Sequence, residues 1–179
     1  MRKIFFALMI FALMMTGCGD ESAEINEEPS AAQASPVAKN VPNFTATTVD
    51  GRQVTEKIFA EKKITMVNIW GTFCPPCIGE MPELGEMARS LPADAQIIGI
   101  VCDATEGSAE IQKAREILQK ANANFVNIVL NKQVAKFIEG VEAVPTTVFV
   151  NSRGEVVGKT ILGADVNGYK SEIEKLLQQ

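Results

Sequence analysis

Apolar residues in this chain come in blocks, and the spacing within the blocks changes along its length. The first block, Ile4 to Met15, is apolar throughout and follows a cationic Met1-Arg2-Lys3. It is shorter than the about 20 residues that span a bilayer and has the pattern of a secretory h-region. Residues 19–40, GDESAEINEEPSAAQASPVAKN, carry acids, Ala, Ser and two prolines and little apolar surface. They read as a flexible tether with a mean reach of roughly 25–30 Å. From Val41 to Gln179 the texture is that of a folded domain. Asp50-Gly51 within FTATTVDGRQVTE predicts a hairpin. KITMVNIW (63–70), AQIIGIVC (95–102) and FVNIVL (125–130) are dense apolar runs of the buried-strand type. Helical spacing covers CPPCIGEMPELGEMARSL (74–91), SAEIQKAREILQKAN (108–122), KQVAKFIEG (132–140, closed by Gly140) and DVNGYKSEIEKLLQQ (165–179). PTTVFVNSRGEVVGKTIL (145–162) reads as strand, Arg153-Gly154 turn and strand. Strands alternating with helices predict an α/β fold whose mixed sheet is covered on both faces, with the last hairpin adding an antiparallel pair.

Composition narrows the chemistry. The length of 179 residues suits one domain with appendages, and 46% apolar content suits a real core. A net charge of −5 argues against a nucleic-acid partner. The chain contains no histidine. That removes His-based metal sites, Ser-His-Asp triads and Cys-His nucleophile pairs together, so any thiol chemistry needs another source of activation.

Helix geometry supplies one. With Cys74 as N-cap, Pro75 falls at the first helical position and Pro76 in the first turn, where proline is tolerated. The Cys74 sulfur then sits at the positive end of the helix dipole, which favours the thiolate. Cys77 follows one turn inward, within disulfide reach. We expect an exposed attacking sulfur and a sheltered resolving one. Pro75 and Pro76 have no N–H, which leaves Cys77 as the backbone donor to the Cys74 sulfur. A less stabilised thiolate makes a more reducing couple. Glu80 falls inside the apolar stripe of the same helix, where burial raises a carboxyl pKa. It either exchanges a proton with the buried thiol or snorkels to water from the helix edge. Pro82 either kinks this helix or divides it. Pro145, before a β-branched run, starts a strand. Its bond to Val144 is either cis, making a bend that can pair with an extended peptide, or trans. Cys102 ends a strand at the active-site edge, as a third redox thiol or, more simply, a small buried hydrophobe.

Two resemblances extend this reading. Met15-Thr16-Gly17-Cys18 resembles the lipobox of bacterial lipoproteins. That implies a signal peptide over 1–17, diacylation of Cys18, and a tether over 18–40 holding an extracytoplasmic domain on a membrane it does not cross. An ordinary signal peptide or an uncleaved anchor is the alternative. Removing 1–17 takes two basic residues and no acids, so the mature charge becomes −7. Trp70-Gly71-Thr72-Phe73-Cys74-Pro75-Pro76-Cys77, with Pro82 and Val144-Pro145-Thr146 downstream, resembles the thioredoxin fold. More narrowly it resembles the membrane-anchored TlpA/ResA-type thiol-disulfide oxidoreductases, across residues 41–179. The resemblance implies a thioredoxin-like three-layer sandwich with an N-terminal β-hairpin and a central αβ insertion. It implies a nucleophile at Cys74, a resolving thiol at Cys77, a buried active-site glutamate at Glu80 and a cis-proline at Pro145. Trp70, Pro75, Pro76, Val144 and Pro145 are expected to face substrate. Asn68 stands where thioredoxin proper has an aspartate, which leaves Glu80 as the proton carrier. The implied activity is reduction of disulfides in exported proteins, such as apocytochrome c or a methionine sulfoxide reductase. A thiol-transporting membrane protein would donate the electrons, and the enzyme would be a monomer with no cofactor beyond its own Cys74–Cys77 disulfide. The competing readings are a copper or zinc carrier using Cys74, Cys77 and Cys102 as soft ligands, a peroxiredoxin-like peroxidase, for which Thr72 lies one residue too close to Cys74, and a non-catalytic binding lipoprotein.

Overall fold

The computed structural model describes residues 36–179. The expected signal peptide (1–17), Cys18 and most of the tether lie outside the described residues. The last part of the expected tether, 36–40, lies along the domain. Val37 is buried, Ala38 N–H donates to Phe137 O (2.9 Å), and Lys39 O accepts from Val156 N–H (2.9 Å). The buried Val37 side chain and these two backbone hydrogen bonds seat the segment on the domain ahead of Val41.

An antiparallel hairpin of β1 (Thr45–Thr47) and β2 (Gln53–Thr55) opens the domain, followed by a 3-10 helix, Glu56–Glu61, that the sequence pattern did not suggest. Then come β3 (Ile64–Trp70), α1 (Pro75–Ser90), β4 (Ala95–Thr105), α2 (Ala109–Lys120), β5 (Val126–Leu130) and α3 (Lys132–Phe137). β6 (Thr146–Asn151), β7 (Val156–Leu162) and α4 (Val166–Leu177) complete the chain. The five-stranded sheet has the order β5-β4-β3-β6-β7; β3 runs parallel to β4 and β4 to β5, while β6 is antiparallel to both β3 and β7.

Every position of β3 is buried, as expected of a central strand covered on both faces. Period-two alternation divides its side chains. Met66 and Trp70 join Met81, Leu84 and Met87 of α1, Leu118 of α2 and Ile173 of α4 in one core cluster. Val67 and Ile69 join Phe59 of the 3-10 helix, Phe137 of α3 and Phe44 in the other. The layers are therefore α1, α2 and α4, then the sheet, then the 3-10 helix, α3 and the hairpin. α1 runs through Pro82 as one helix and stops before Pro92. α3 ends at Phe137, short of Gly140.

β4 is longer than its apolar run suggests, and irregular. Val101 pairs with Val129 but Thr105 with Leu130, so residues 102–104 bulge from the ladder. A bulge re-aims side chains, and here it releases Cys102 and Asp103 toward the loop before α1.

Candidate active site

α1 begins as its sequence predicts. Cys74 is the N-cap with extended backbone (φ −98°, ψ 102°), the two prolines fill the first helical positions, and Cys77 N–H donates to Cys74 Sγ at 3.2 Å. Cys74 and Cys77 are joined by a disulfide. The expected exposed attacking sulfur is corrected: Cys74 is only 4% exposed and Cys77 0%. The outlet for Cys74 is an apolar cavity of about 420 Å³, lined by Phe73, Pro75, Cys102, Ile138, Val141 and Val144 among others. Phe73, 62% exposed, rises from its rim. Its ring lies over Gly71, where a Cβ would stand 2.5 Å from a ring carbon, so only glycine permits this fold-back.

The loop before Cys74 is pinned from β4. Asp103, freed by the bulge, accepts from Thr72 N–H (3.0 and 3.1 Å) and from Thr72 Oγ1 (2.6 Å). Nothing in the local sequence marks Asp103, because its role depends on a bulge in a different element. Opposite lies the segment before β6. The Val144–Pro145 bond is cis, Val144 O lies 3.5 Å from Cys74 Sγ, and Pro145 itself is buried. Pro75 and Pro76 are exposed and Val144 half-buried, all three bordering the Cys74 cavity. Trp70 does not join them. It is 0% exposed, with its indole N–H donating to Asn127 Oδ1 at 2.8 Å, so its expected place facing substrate is corrected to a core position. Strand alternation carries the reason, since Trp70 shares the face of Met66.

Glu80 is buried, 4% exposed. Oε1 accepts from Asn68 Nδ2 (2.9 Å), Oε2 lies 3.0 Å from the Tyr169 hydroxyl, and the same hydroxyl lies 2.8 Å from Gly163 O. Burial pushes the Glu80 carboxyl above its ordinary pKa, opposed by the hydrogen bonds from Asn68 and Tyr169 and aided by the nearby charge of Glu83. Burial likewise pushes Tyr169 up to about 12. A second cavity, about 340 Å³ and lined by Pro76, Gly79, Glu80, Glu83 and Asp165 among others, gives Glu80 its own approach from solvent. Cys102 is a half-buried free thiol, pushed up by burial and then by the charge of Asp103, which favours the unreactive protonated form. Among the described residues no group of three or more His, Cys, Asp or Glu converges on a metal position.

Residues 37–159 match the AhpC/TSA family. The chain belongs to that family. Among its relatives, the thiol:disulfide interchange protein DsbE homolog of Paracoccus denitrificans is 25% identical, covering 87% of this chain and 85% of that one. The thiol-disulfide oxidoreductase ResA of Bacillus thuringiensis is 27% identical over 80% of this chain and 78% of its own. A thioredoxin-family thiol:disulfide interchange protein from Chlorobium tepidum has the same fold, with a TM-score of 0.61 at 18% identity over 78% of this chain and 94% of that one. This member of the AhpC/TSA family is therefore a thioredoxin-fold thiol-disulfide oxidoreductase.

The buried carboxyl gives a pH signature. A carboxyl with a raised folded-state pKa holds its proton more tightly in the native state. Stability is then full below its unfolded value, near 4.5, and falls as pH rises through the folded value. We expect Glu80→Gln to flatten this decline by about 1.4 kcal/mol for each unit of pKa elevation removed. Urea denaturation of the oxidised protein and the variant between about pH 4 and pH 8 measures it. Parallel curves would show Glu80 titrating alike in the folded and unfolded chains.

Proposed function

We propose that this oxidoreductase works outside the cytoplasm as a membrane-tethered reductase of disulfides in exported proteins. The hydrogen bonding of Cys74 carries the reading. Its sulfur sits at the start of α1, yet Pro75 and Pro76 deny it two backbone donors and Cys77 N–H alone is within reach from the first turn. The Cys74 thiolate is activated by the helix terminus but less stabilised than it would be with two further N–H groups, which favours the couple as an electron donor.

Cys74 thiolate attacks one sulfur of a substrate disulfide, forming a mixed disulfide and expelling the other sulfur as thiolate. Glu80 carboxylate takes the Cys77 proton, directly or through one water. Cys77 thiolate then attacks the Cys74 sulfur and releases the second substrate thiolate. The substrate gains two electrons and the enzyme ends as the Cys74–Cys77 disulfide. Recovery runs in reverse: one thiolate of a donor dithiol attacks Cys74, Cys77 leaves as thiolate and takes its proton back from Glu80, and the donor's second thiolate then displaces Cys74 thiolate, leaving the donor as a disulfide. Glu80 and Cys77 stand three residues apart on one helix face, about 5–6 Å between Cβ atoms. The apolar cavity beside Cys74 and the cis-proline segment give an extended substrate a place to lie.

The tether reading rests on Met15-Thr16-Gly17-Cys18 and the apolar block before it. Diacylated Cys18 would hold the domain on a membrane, and among the described residues no helix is long and apolar enough to cross one. Electrons would reach such a site from a membrane protein that carries thiol equivalents outward. Exported apocytochrome c and methionine sulfoxide reductase are substrates of the required kind.

Equilibration with dithiols of known potential tests the direction of flow. We expect the Cys74/Cys77 couple to fall closer to thioredoxin, about −270 mV, than to the strong oxidant DsbA, about −120 mV. A potential at the oxidising end would make the protein a disulfide donor instead.

A further inference from the structure

The Tyr169 phenol carries one hydrogen and stands between two acceptors. Gly163 O, at 2.8 Å, is a carbonyl and can only accept. Glu80 Oε2, at 3.0 Å, accepts when ionised and can donate when protonated. Asn68 Nδ2 donates to both Glu80 Oε1 (2.9 Å) and Thr147 Oγ1 (3.2 Å). Asn68 supplies two hydrogens, and Thr147 and Tyr169 one each. Against these stand both Glu80 oxygens, the Thr147 and Tyr169 oxygens, Gly163 O, and a buried Asn68 Oδ1 that has no donor. The cluster is rich in acceptors, and one more hydrogen fits it. With that hydrogen on Glu80 Oε2, the acid donates to the Tyr169 oxygen and Tyr169 donates to Gly163 O. With Glu80 ionised, the Tyr169 hydrogen must turn to the carboxylate and leave Gly163 O. Gly163 N–H in turn donates to Pro145 O (2.9 Å), which ties this peptide unit to the segment facing Cys74.

We propose that Tyr169 is the positioning residue of the proton-carrying carboxyl: its hydroxyl hydrogen turns from Gly163 O to Glu80 Oε2 when Glu80 gives up its proton, and returns when Glu80 regains it. Glu80 thereby keeps one partner and one orientation toward Cys77 in both charge states. No proton leaves Tyr169; a single O–H bond rotates, and its elevated pKa keeps it protonated throughout. The ionisable groups around Glu80 are Tyr169 of α4, Glu83 and Cys77 of α1, and Asp165 across the shared cavity, while β3 and β6 present the neutral Asn68 and Thr147. The inference rests on Glu80 as proton carrier for Cys77, yet the hydrogen switch can be read without turnover.

Tyr169 is the only tyrosine in the chain, so its ring carbon Cζ gives an unambiguous NMR signal. In the oxidised, ¹³C-labelled protein we expect Tyr169 Cζ and the Gly163 carbonyl carbon to shift in one step, with the same pH midpoint as Glu80 Cδ. In Glu80→Gln the amide donates to Tyr169 at every pH, and the Tyr169 step disappears. In Tyr169→Phe, Glu80 still titrates while Gly163 loses its step, and kcat for disulfide reduction falls about tenfold at unchanged KM. Tyr169 and Gly163 signals that stay flat while Glu80 titrates in the unmutated protein overturn the switch, a result that needs no variant to fold. If those signals are flat but Glu80→Gln still slows reduction, Glu80 remains the proton carrier and Tyr169 is structural. If Glu80→Gln reduces substrates at the full rate, the proton-carrier reading fails, whatever Tyr169 does.

Discussion

Replacing Cys77 with serine is expected to stop turnover, by more than about 10³-fold, and to leave substrate covalently held on Cys74. The reason is positional. Cys74 supplies the N-cap sulfur with its cavity, and Cys77, one turn deeper at 0% exposure, has no comparable outlet. Only Cys74 can meet a substrate disulfide, and only Cys77 can displace the substrate from it. Without Cys77 the first exchange proceeds and the second cannot. Cys74→Ser is expected to lose activity to the same extent but to capture nothing, since the remaining thiol is enclosed. Mass analysis of alkylated, non-reduced complexes separates the two outcomes. Cys102 lines the same cavity, so Cys102→Ser belongs beside them as a control. Trapping that persists in Cys74→Ser and vanishes only when Cys102 is also removed would transfer the nucleophile's role to Cys102.

The largest effect on stability is expected from Gly99→Ala. Gly99 lies in β4 opposite Asn68 of β3 and Asn127 of β5. A Cβ there would stand 1.9 Å from Asn127 Oδ1 and 3.1 Å from Trp70 Nε1. Asn127 would have to leave, yet its Oδ1 accepts the Trp70 indole N–H and its Nδ2 donates to Phe125 O (3.0 Å). Overpacking in a filled core costs about 1–3 kcal/mol, and an orphaned buried donor about 1–3 more. We therefore expect a loss of about 2–6 kcal/mol, read as a lower urea midpoint at unchanged m-value. Trp70 is the sole tryptophan, so its fluorescence reports the same event locally. Asn127→Ala alone leaves the indole unpaired; added to Gly99→Ala it removes the clash, so the double variant should lose less than the sum of the two singles. Strict additivity would mean that the methyl is absorbed elsewhere.

Sequence by itself determined the elements and the reactive pair. Apolar runs of strand length, helical spacing between them and two prolines directly after Cys74 are local signals. Local signals suffice for the N-cap, for the lone Cys77 N–H donor and for an α/β fold, because each depends on residues a few positions apart. Glu80 in the apolar stripe of α1 was legible for the same reason, although spacing alone left snorkelling open. Tertiary structure decided everything that joins distant segments. It buried the Cys74 sulfur beside a cavity and turned Trp70 inward to Asn127. It bulged β4 so that Asp103 holds Thr72, and set Tyr169, 89 residues from Glu80, against its carboxyl. Those contacts carry no periodicity of their own. They arise when the sheet order β5-β4-β3-β6-β7 brings strand ends and helix starts from separate parts of the chain to one edge, and that packing, not local spacing, sets burial, hydrogen bonding and proton affinity at the site.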